Sequence, residues 1–308
     1  MASWSQLQAD LVTIPVAQRG DWIKARIESE LKDLARITNR NVIAYASSYL
    51  QKPQIPGIFL SITPEDVNGF LSALYQMDSN KGLLLLLHTP GGSADAAETI
   101  VRYLWSKFKD ITTLIPTYAM SAGTMIALAS DRLIMGRQSQ LGPTDPQFFI
   151  GNVAYSAHSI VKQFEEARAD IIATPNAARA WAPVLQPFGP ALLQEARKAL
   201  AHGTSLVAEW LRTRMFKGET KAHAQRWARK AAKEFSGSHH GSHGHRIDRN
   251  EARSLRLRVE DLEPNQPLQT AALTLYHALT IAFENGPATK AIISSNGSWW
   301  MKNISMQA

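Results

Sequence analysis

The spacing of apolar positions changes along this chain, and each change marks an element. Gly82-Leu83-Leu84-Leu85-Leu86-Leu87-His88 is apolar at nearly every position. It is far too short to cross a bilayer, so it reads as a strand of a parallel sheet buried on both faces. Thr89-Pro90-Gly91-Gly92 ends it. Pro90 cannot extend a ladder, and the two glycines admit backbone conformations that expose N–H groups at the carboxyl end of the strand, where open α/β sheets bind ligands. Ser93 then caps a helix whose Ala97, Ile100, Val101, Leu104, Trp105 and Phe108 keep helical spacing. Asp95 and Glu98 lie early in it, and Lys107 and Lys109 late, as the helix dipole favours. A strand over 111–117 follows, and the small, wholly apolar run after Ser121 predicts a buried helix that opens on that serine.

Upstream, Trp22, Ile23, Ile27, Leu31, Leu34 and Ile37 repeat with helical period, which predicts an amphipathic helix covering the core or a neighbouring subunit. A first strand is expected over 41–49 and a helix over 63–77, started by Thr63-Pro64-Glu65-Asp66. From Phe164 to Lys233 the pattern is helical, broken by Pro175, Pro183, Pro187 and Pro190. Trp181, Val184, Leu185, Phe188, Leu192 and Leu193 in that stretch read as core or oligomer interface, with an apolar substrate groove as the alternative. The expected organisation is α/β: a helical extension over 1–40, a main domain over 41–285, and a tail over 286–308. Trp299 and Trp300 in that tail are expected to pack on this subunit or on a neighbour.

A buried helix that opens on a serine places a hydroxyl beside unpaired backbone donors. The N–H groups of Ala122, Gly92 and Gly91 are candidates to stabilise an oxyanion, with Ser121 as the nucleophile. The plainer reading makes Ser121 an N-cap and Pro90-Gly91-Gly92 a turn. Composition narrows the choices. The 308 residues are 45% apolar, enough for one large core, and no cysteine is present, which removes disulfides, thiolate metal sites and cysteine nucleophiles. The start has neither a basic region nor an apolar core of the signal-peptide kind, and no run of about 20 apolar residues exists, so a soluble, cytoplasmic protein is expected. Membrane association is expected only through partners.

The net charge of +7 sits in one place: residues 212–258 carry 13 Lys or Arg against 4 Asp or Glu. Arg226, Arg229, Lys230 and Lys233 follow helical spacing, as a solvated helix face does, and no nucleic-acid module accompanies them, so no nucleic-acid partner is expected. The run 236–245 holds four histidines among glycine and serine. It reads as a surface loop in preference to a metal site, because no carboxylate or cysteine within it completes a ligand shell. No metal or organic cofactor is expected.

Three motifs in order carry a family likeness. Thr89-Pro90-Gly91-Gly92-Ser93-Ala94-Asp95, Tyr118-Ala119-Met120-Ser121-Ala122-Gly123-Thr124, and Leu141-Gly142-Pro143-Thr144-Asp145-Pro146-Gln147 together resemble the Clp/crotonase superfamily. Within it they resemble the serine dehydrogenase proteinase group, relatives of signal peptide peptidase A and of the archaeal stomatin-cleaving peptidase. The likeness covers roughly residues 42–262 and includes the stretch Gly244 to Arg253; it implies that the histidine run lies near the catalytic face, so that His243 or His245 lining the site, or serving as base, is a further option. Family members usually have Gly-Leu where this chain has Arg256-Leu257. The resemblance implies a Clp/crotonase-like spiral of ββα units with extra helices, and a homo-oligomeric serine endopeptidase acting on polypeptides. It also implies a lysine base on a later helix, for which Lys162, 41 residues after Ser121, has the matching separation. A lysine serves as base only if burial or a cationic neighbour lowers its pKa from about 10.4, and the plainer reading leaves Lys162 solvated. His158, one turn earlier on the same face, is the rival, and Asp145 is a candidate to orient either. A non-catalytic scaffold of this fold, or an acyl-CoA enzyme of the crotonase kind, are the alternatives.

Overall fold

The computed structural model describes residues 3–151, 153–189, 191–237 and 246–304. Two helices, α1 (Trp4–Thr13) and α2 (Arg19–Thr38), precede β1 (Asn41–Ser47). Next come α3 (Asp66–Ala73), β2 (Leu83–His88), α4 (Ala94–Lys107), β3 (Ile111–Ile115), β4 (Tyr118–Ala119) and α5 (Ala122–Leu128). Strands β5 (Arg132–Met135), β6 (Gln140–Leu141), β7 (Gln147–Ile150) and β8 (Val153–Ser156) lead into four helices: α6 (Ala157–Ala173), α7 (Ala178–Leu185), α8 (Leu192–Thr213) and α9 (Lys221–Phe235). The last described elements are α10 (Arg249–Ser254), β9 (Val259–Asp261), α11 (Gln266–Asn285), β10 (Ala288–Ser294) and β11 (Trp299–Asn303).

The main sheet has the order β11-β10-β1-β2-β3-β5-β9. Its strands β1, β2, β3, β5 and β9 are parallel, and β10 and β11 add an antiparallel edge. Alternate residues feed two cores, as a strand covered on both faces requires. Ile43, Tyr45, Leu83, Leu85 and Leu87 join the core shared with α4, α5, α8 and α9. Val42, Ala44, Ala46, Leu84 and Leu86 join the one shared with α1, α2 and α11. Past the sheet's carboxyl edge a second small layer forms. Thr89 bridges to Ala119, β4 pairs with β6, and Leu141 bridges to Ile247. Strand, second-layer strand, helix is thus the repeating unit, seen in β3-β4-α5, and Ser121 sits where the second-layer strand gives way to the helix.

Leu7 and Leu11 of α1 and Ile23, Ile27, Leu31 and Leu34 of α2 are buried in the same core as α11 and the sheet. Strand β10 lies between β1 and β11 and is buried throughout, and Trp299 Nε1 donates to Glu28 Oε1 at 3.1 Å, so the tryptophan pair packs on its own subunit. The helix expected over 63–77 is shorter, and Pro116 ends β3 before 117. Arg256, standing where the family has glycine, adopts φ 66°, the left-handed region that glycine enters without steric cost. Its guanidinium lies 5.5 Å from the Trp227 ring.

Because β10 supplies the neighbour of β1, deleting residues 287–308 is expected to abolish the cooperative thermal transition followed by circular dichroism. A truncated chain that melts within a few degrees of the full one would show these strands to be dispensable.

Candidate active site

Ser121 lies one residue past β4, after Met120, and holds φ 49° and ψ −119°. A side-chain-bearing residue there is strained by about 1–3 kcal/mol, and such strain persists only where the surroundings fix it. Sharp strand-to-helix turns of this kind push a serine hydroxyl outward. The plain N-cap reading fails on geometry, since the Ser121 side chain makes no capping hydrogen bond. Its backbone is held instead: Met125 N–H donates to Ser121 O at 3.1 Å and Gly123 N–H to Met120 O at 2.8 Å. Thr124 pins the turn from behind, donating its hydroxyl to Ala119 O at 2.6 Å and accepting Gly142 N–H at 3.0 Å. The loop Gly142 to Asp145 is therefore fastened to the same turn.

The glycine loop presses on Ser121 from the other side. Gly91 has φ 97°, and a Cβ there would lie 2.6 Å from both Met120 O and the Ser121 Cβ, so no side chain fits. A Cβ on Gly92 would lie 2.3 Å from Ile62 O. Ile62 straddles the loop, donating its N–H to Gly91 O at 2.7 Å and accepting Ser93 N–H at 2.9 Å. Neither bond engages the Gly92 N–H, and Ala122, first residue of α5, has no intrahelical acceptor for its own.

A cleft of about 920 Å³ opens over this turn. Ser121, Gly92, Ala122, Asp145 and His202 line it with apolar walls from Ile58, Ile62, Met125, Phe149 and Leu206. Asp145 is buried and accepts from Gln147 Nε2 at 3.0 Å. His202 was not anticipated. The signal was present as Ala199, His202, Gly203 and Leu206, a stripe at helical spacing on α8 whose small members let the cleft approach the helix.

Other candidates stand apart. Lys162 is 78% exposed on α6, pairs with Glu166 Oε1 at 3.6 Å, and lines a separate recess of about 330 Å³ with Tyr155 and Phe188. In this single chain it is solvated, so the desolvation that a lysine base requires is absent. His158 is half-buried with its Nε2 unpaired, and it does not line the cleft. Helix α6 nonetheless starts at the cleft wall, where Ala157 N–H donates to Pro146 O at 2.8 Å. His243 and His245 lie outside the described residues. Among the described residues no three metal-ligating side chains converge.

One buried histidine lies outside the cleft lining. His88 packs between Tyr49 and Tyr276, with ring centroids at 5.2 and 5.0 Å, and its Nδ1 meets Thr117 Oγ1 at 2.9 Å. Burial pushes its pKa down to about 3. Between that value and the unfolded value near 6.5 the unfolded chain binds a proton that the folded chain refuses, so stability falls as pH falls through this window, by about 1.4 kcal/mol per pH unit. Replacing His88 with Phe is expected to flatten the slope of unfolding free energy between pH 6 and 4 by close to one proton, measured by urea unfolding. An unchanged slope would contradict the buried neutral imidazole.

Comparison with known proteins agrees with this architecture. The family model of the ClpP-like SDH-type serine proteinases matches residues 3–178, a span that contains the glycine loop, Ser121 and Lys162. An uncharacterized protein of Methanocaldococcus jannaschii, MJ0137, is 36% identical over 172 residues, which are 54% of this chain and 57% of that one. A second from the same organism, MJ1495, is 41% identical over 107 residues, 35% of each chain. The matches thus span about half or less of those relatives. Two solved structures of the 1510-N membrane-bound stomatin-specific protease show 18% identity. One, a serine-to-alanine mutant, has a TM-score of 0.39 and covers 68% of this chain and 79% of its own. The other, a lysine-to-alanine mutant in complex with a substrate peptide, has a TM-score of 0.40 and covers 80% and 84%. On the match to more than half of its length, the chain belongs to the ClpP-like SDH-type serine proteinase family.

Proposed function

We propose that this protein is a serine endopeptidase that cleaves polypeptides with Ser121 as its nucleophile. The observation that carries the reading is the strained turn at the floor of the cleft. It presents a hydroxyl with no capping role beside two backbone donors, Ala122 N–H and Gly92 N–H. Ser121 Oγ attacks the scissile carbonyl, the two N–H groups receive the developing oxyanion, and the leaving amine takes the proton that Ser121 gave up. Water then hydrolyses the acyl-enzyme by the same route in reverse. The apolar walls suit extended, hydrophobic stretches of chain, and no step calls for a metal or organic cofactor.

Lys162 is the proposed proton acceptor, on the family spacing. It takes that role only if α6 swings over the cleft or is supplied by another copy in a homo-oligomer, which would bury its amine and lower its pKa. A second reading rests on a specific observation: His202, an imidazole able to accept a proton, already lines the cleft. Among the described residues no helix is long and apolar enough to cross a membrane, and a cytoplasmic site of action is part of the proposal.

Casein degradation by the purified protein, with chelator present, is expected to vanish in Ser121→Ala. On the Ser-Lys reading Lys162→Ala loses about 10³-fold or more in kcat and His202→Ala less than tenfold, following the size of base deletions in other serine peptidases. The reverse order would install His202 as the base, and equal activity of wild type and Ser121→Ala would overturn the peptidase reading.

A further inference from the structure

Among the described residues the most deeply buried charges lie one layer behind the glycine loop. Lys290 on β10 and Asp66 at the start of α3 are 1% and 0% exposed, with Nζ and Oδ1 2.6 Å apart. The ammonium is fully satisfied, for it also donates to Ser61 O at 2.9 Å and Thr63 Oγ1 at 3.2 Å. The carboxylate is satisfied as well. Its Oδ2 accepts the Tyr45 hydroxyl at 2.8 Å and Thr63 N–H at 2.9 Å. Such a pair adds little stability over an apolar trio of the same volume, because both charges had to leave water. What the pair fixes, and an apolar trio would not, is the backbone on either side of Ile62.

One arm runs from this pair to the loop. It is the segment Ser61 to Thr63, whose middle residue straddles Gly91 and Ser93 with two backbone bonds. The Ile62 N–H that donates to Gly91 O polarises the same peptide unit whose N–H belongs to Gly92, which strengthens it as a donor. Tyr45 braces the pair from β1, its hydroxyl donating to Asp66 Oδ2. Thr89 Oγ1 holds the loop separately, accepting Gly91 N–H at 3.2 Å.

We propose that Lys290, Asp66 and Tyr45 are positioning residues that hold the Gly91-Gly92 loop at the distance from Ser121 at which its N–H receives the oxyanion. The proposal rests on the reading of Ser121 as nucleophile. These residues touch no substrate. They act through Ile62, and a misplacement of the loop by a fraction of an ångström is felt in the transition state more than in substrate binding.

The test uses the full chain with Tyr45→Phe, which keeps the ring and removes only the hydroxyl that donates to Asp66, and Thr63→Val, which removes the hydroxyl that accepts from Lys290 beside Ile62. Hydrolysis of a chromogenic peptide and inhibition by a peptide aldehyde, whose adduct places an oxyanion in the site, are measured beside the melting temperature. Each variant is expected to lose roughly tenfold to a hundredfold in kcat, with KM within about twofold and aldehyde affinity falling by the same factor as kcat/KM. The double variant is expected to lose less than the product of the two single losses, since both act on the one Asp66–Lys290 network. A lowered melting temperature with kcat and aldehyde affinity unchanged would reduce the network to a structural role and overturn the proposal. A wild type that hydrolyses nothing would sink the nucleophile reading itself, and this proposal with it, and is told apart because it shows before any variant is made.

Discussion

Everything at the candidate site depends on the strained backbone of Ser121. At φ 49° the chain turns at the serine from the end of β4 into α5, and both Ser121 and Ala122 come to line the cleft. Such a conformation has to be enforced. Gly91 enforces it by lying so close that a Cβ would collide with the Ser121 Cβ, and Thr124 does so by tying β4 to the Gly142 loop through one hydroxyl. The small residues of the three motifs are spaces that the turn and its braces occupy.

Much of this was legible in the chain. The five leucines of β2 fill alternate cores, Ser93 does cap α4 by accepting Ala96 N–H at 3.1 Å, and Ser156 caps α6 in the same way. The three motifs meet at one cleft, as their order implied. What escaped notice had a common cause, a residue whose partner lies far along the chain. Strand β10 reads as Ala288-Thr289-Lys290-Ala291-Ile292-Ile293-Ser294, and a lysine amid a short run flanked by glycine and serine looks like a loop until Asp66, 224 positions away, neutralises it. His202 stood in a readable stripe on α8, but only the packing of that helix brings the stripe to the cleft that Ser121 lines. The spacing of Lys162 to Ser121 was readable, but distance along the chain says nothing about which face of α6 meets solvent.

The basic segment behaves in the same two-sided way. Arg214 is buried, pairing with Asp131 at 3.4 Å and donating to Phe108 O and Lys109 O, while Arg249 and Arg253 share Asp261. These cations fasten α8 and α10 to the sheet, so the charge counted along 212–258 overstates what reaches the surface. Lys230 and Arg256 flank Trp227, an arrangement that shields an aromatic face while keeping both charges wet.

The central claim is that the turn makes the Ser121 hydroxyl a nucleophile, and the most direct measurement is covalent labelling of the folded protein with a fluorophosphonate, located by peptide mass spectrometry. The account expects a single adduct on Ser121 that approaches one per chain and disappears when the protein is unfolded before labelling. Labelling spread over several serines, or none on Ser121 in the folded state, would contradict it.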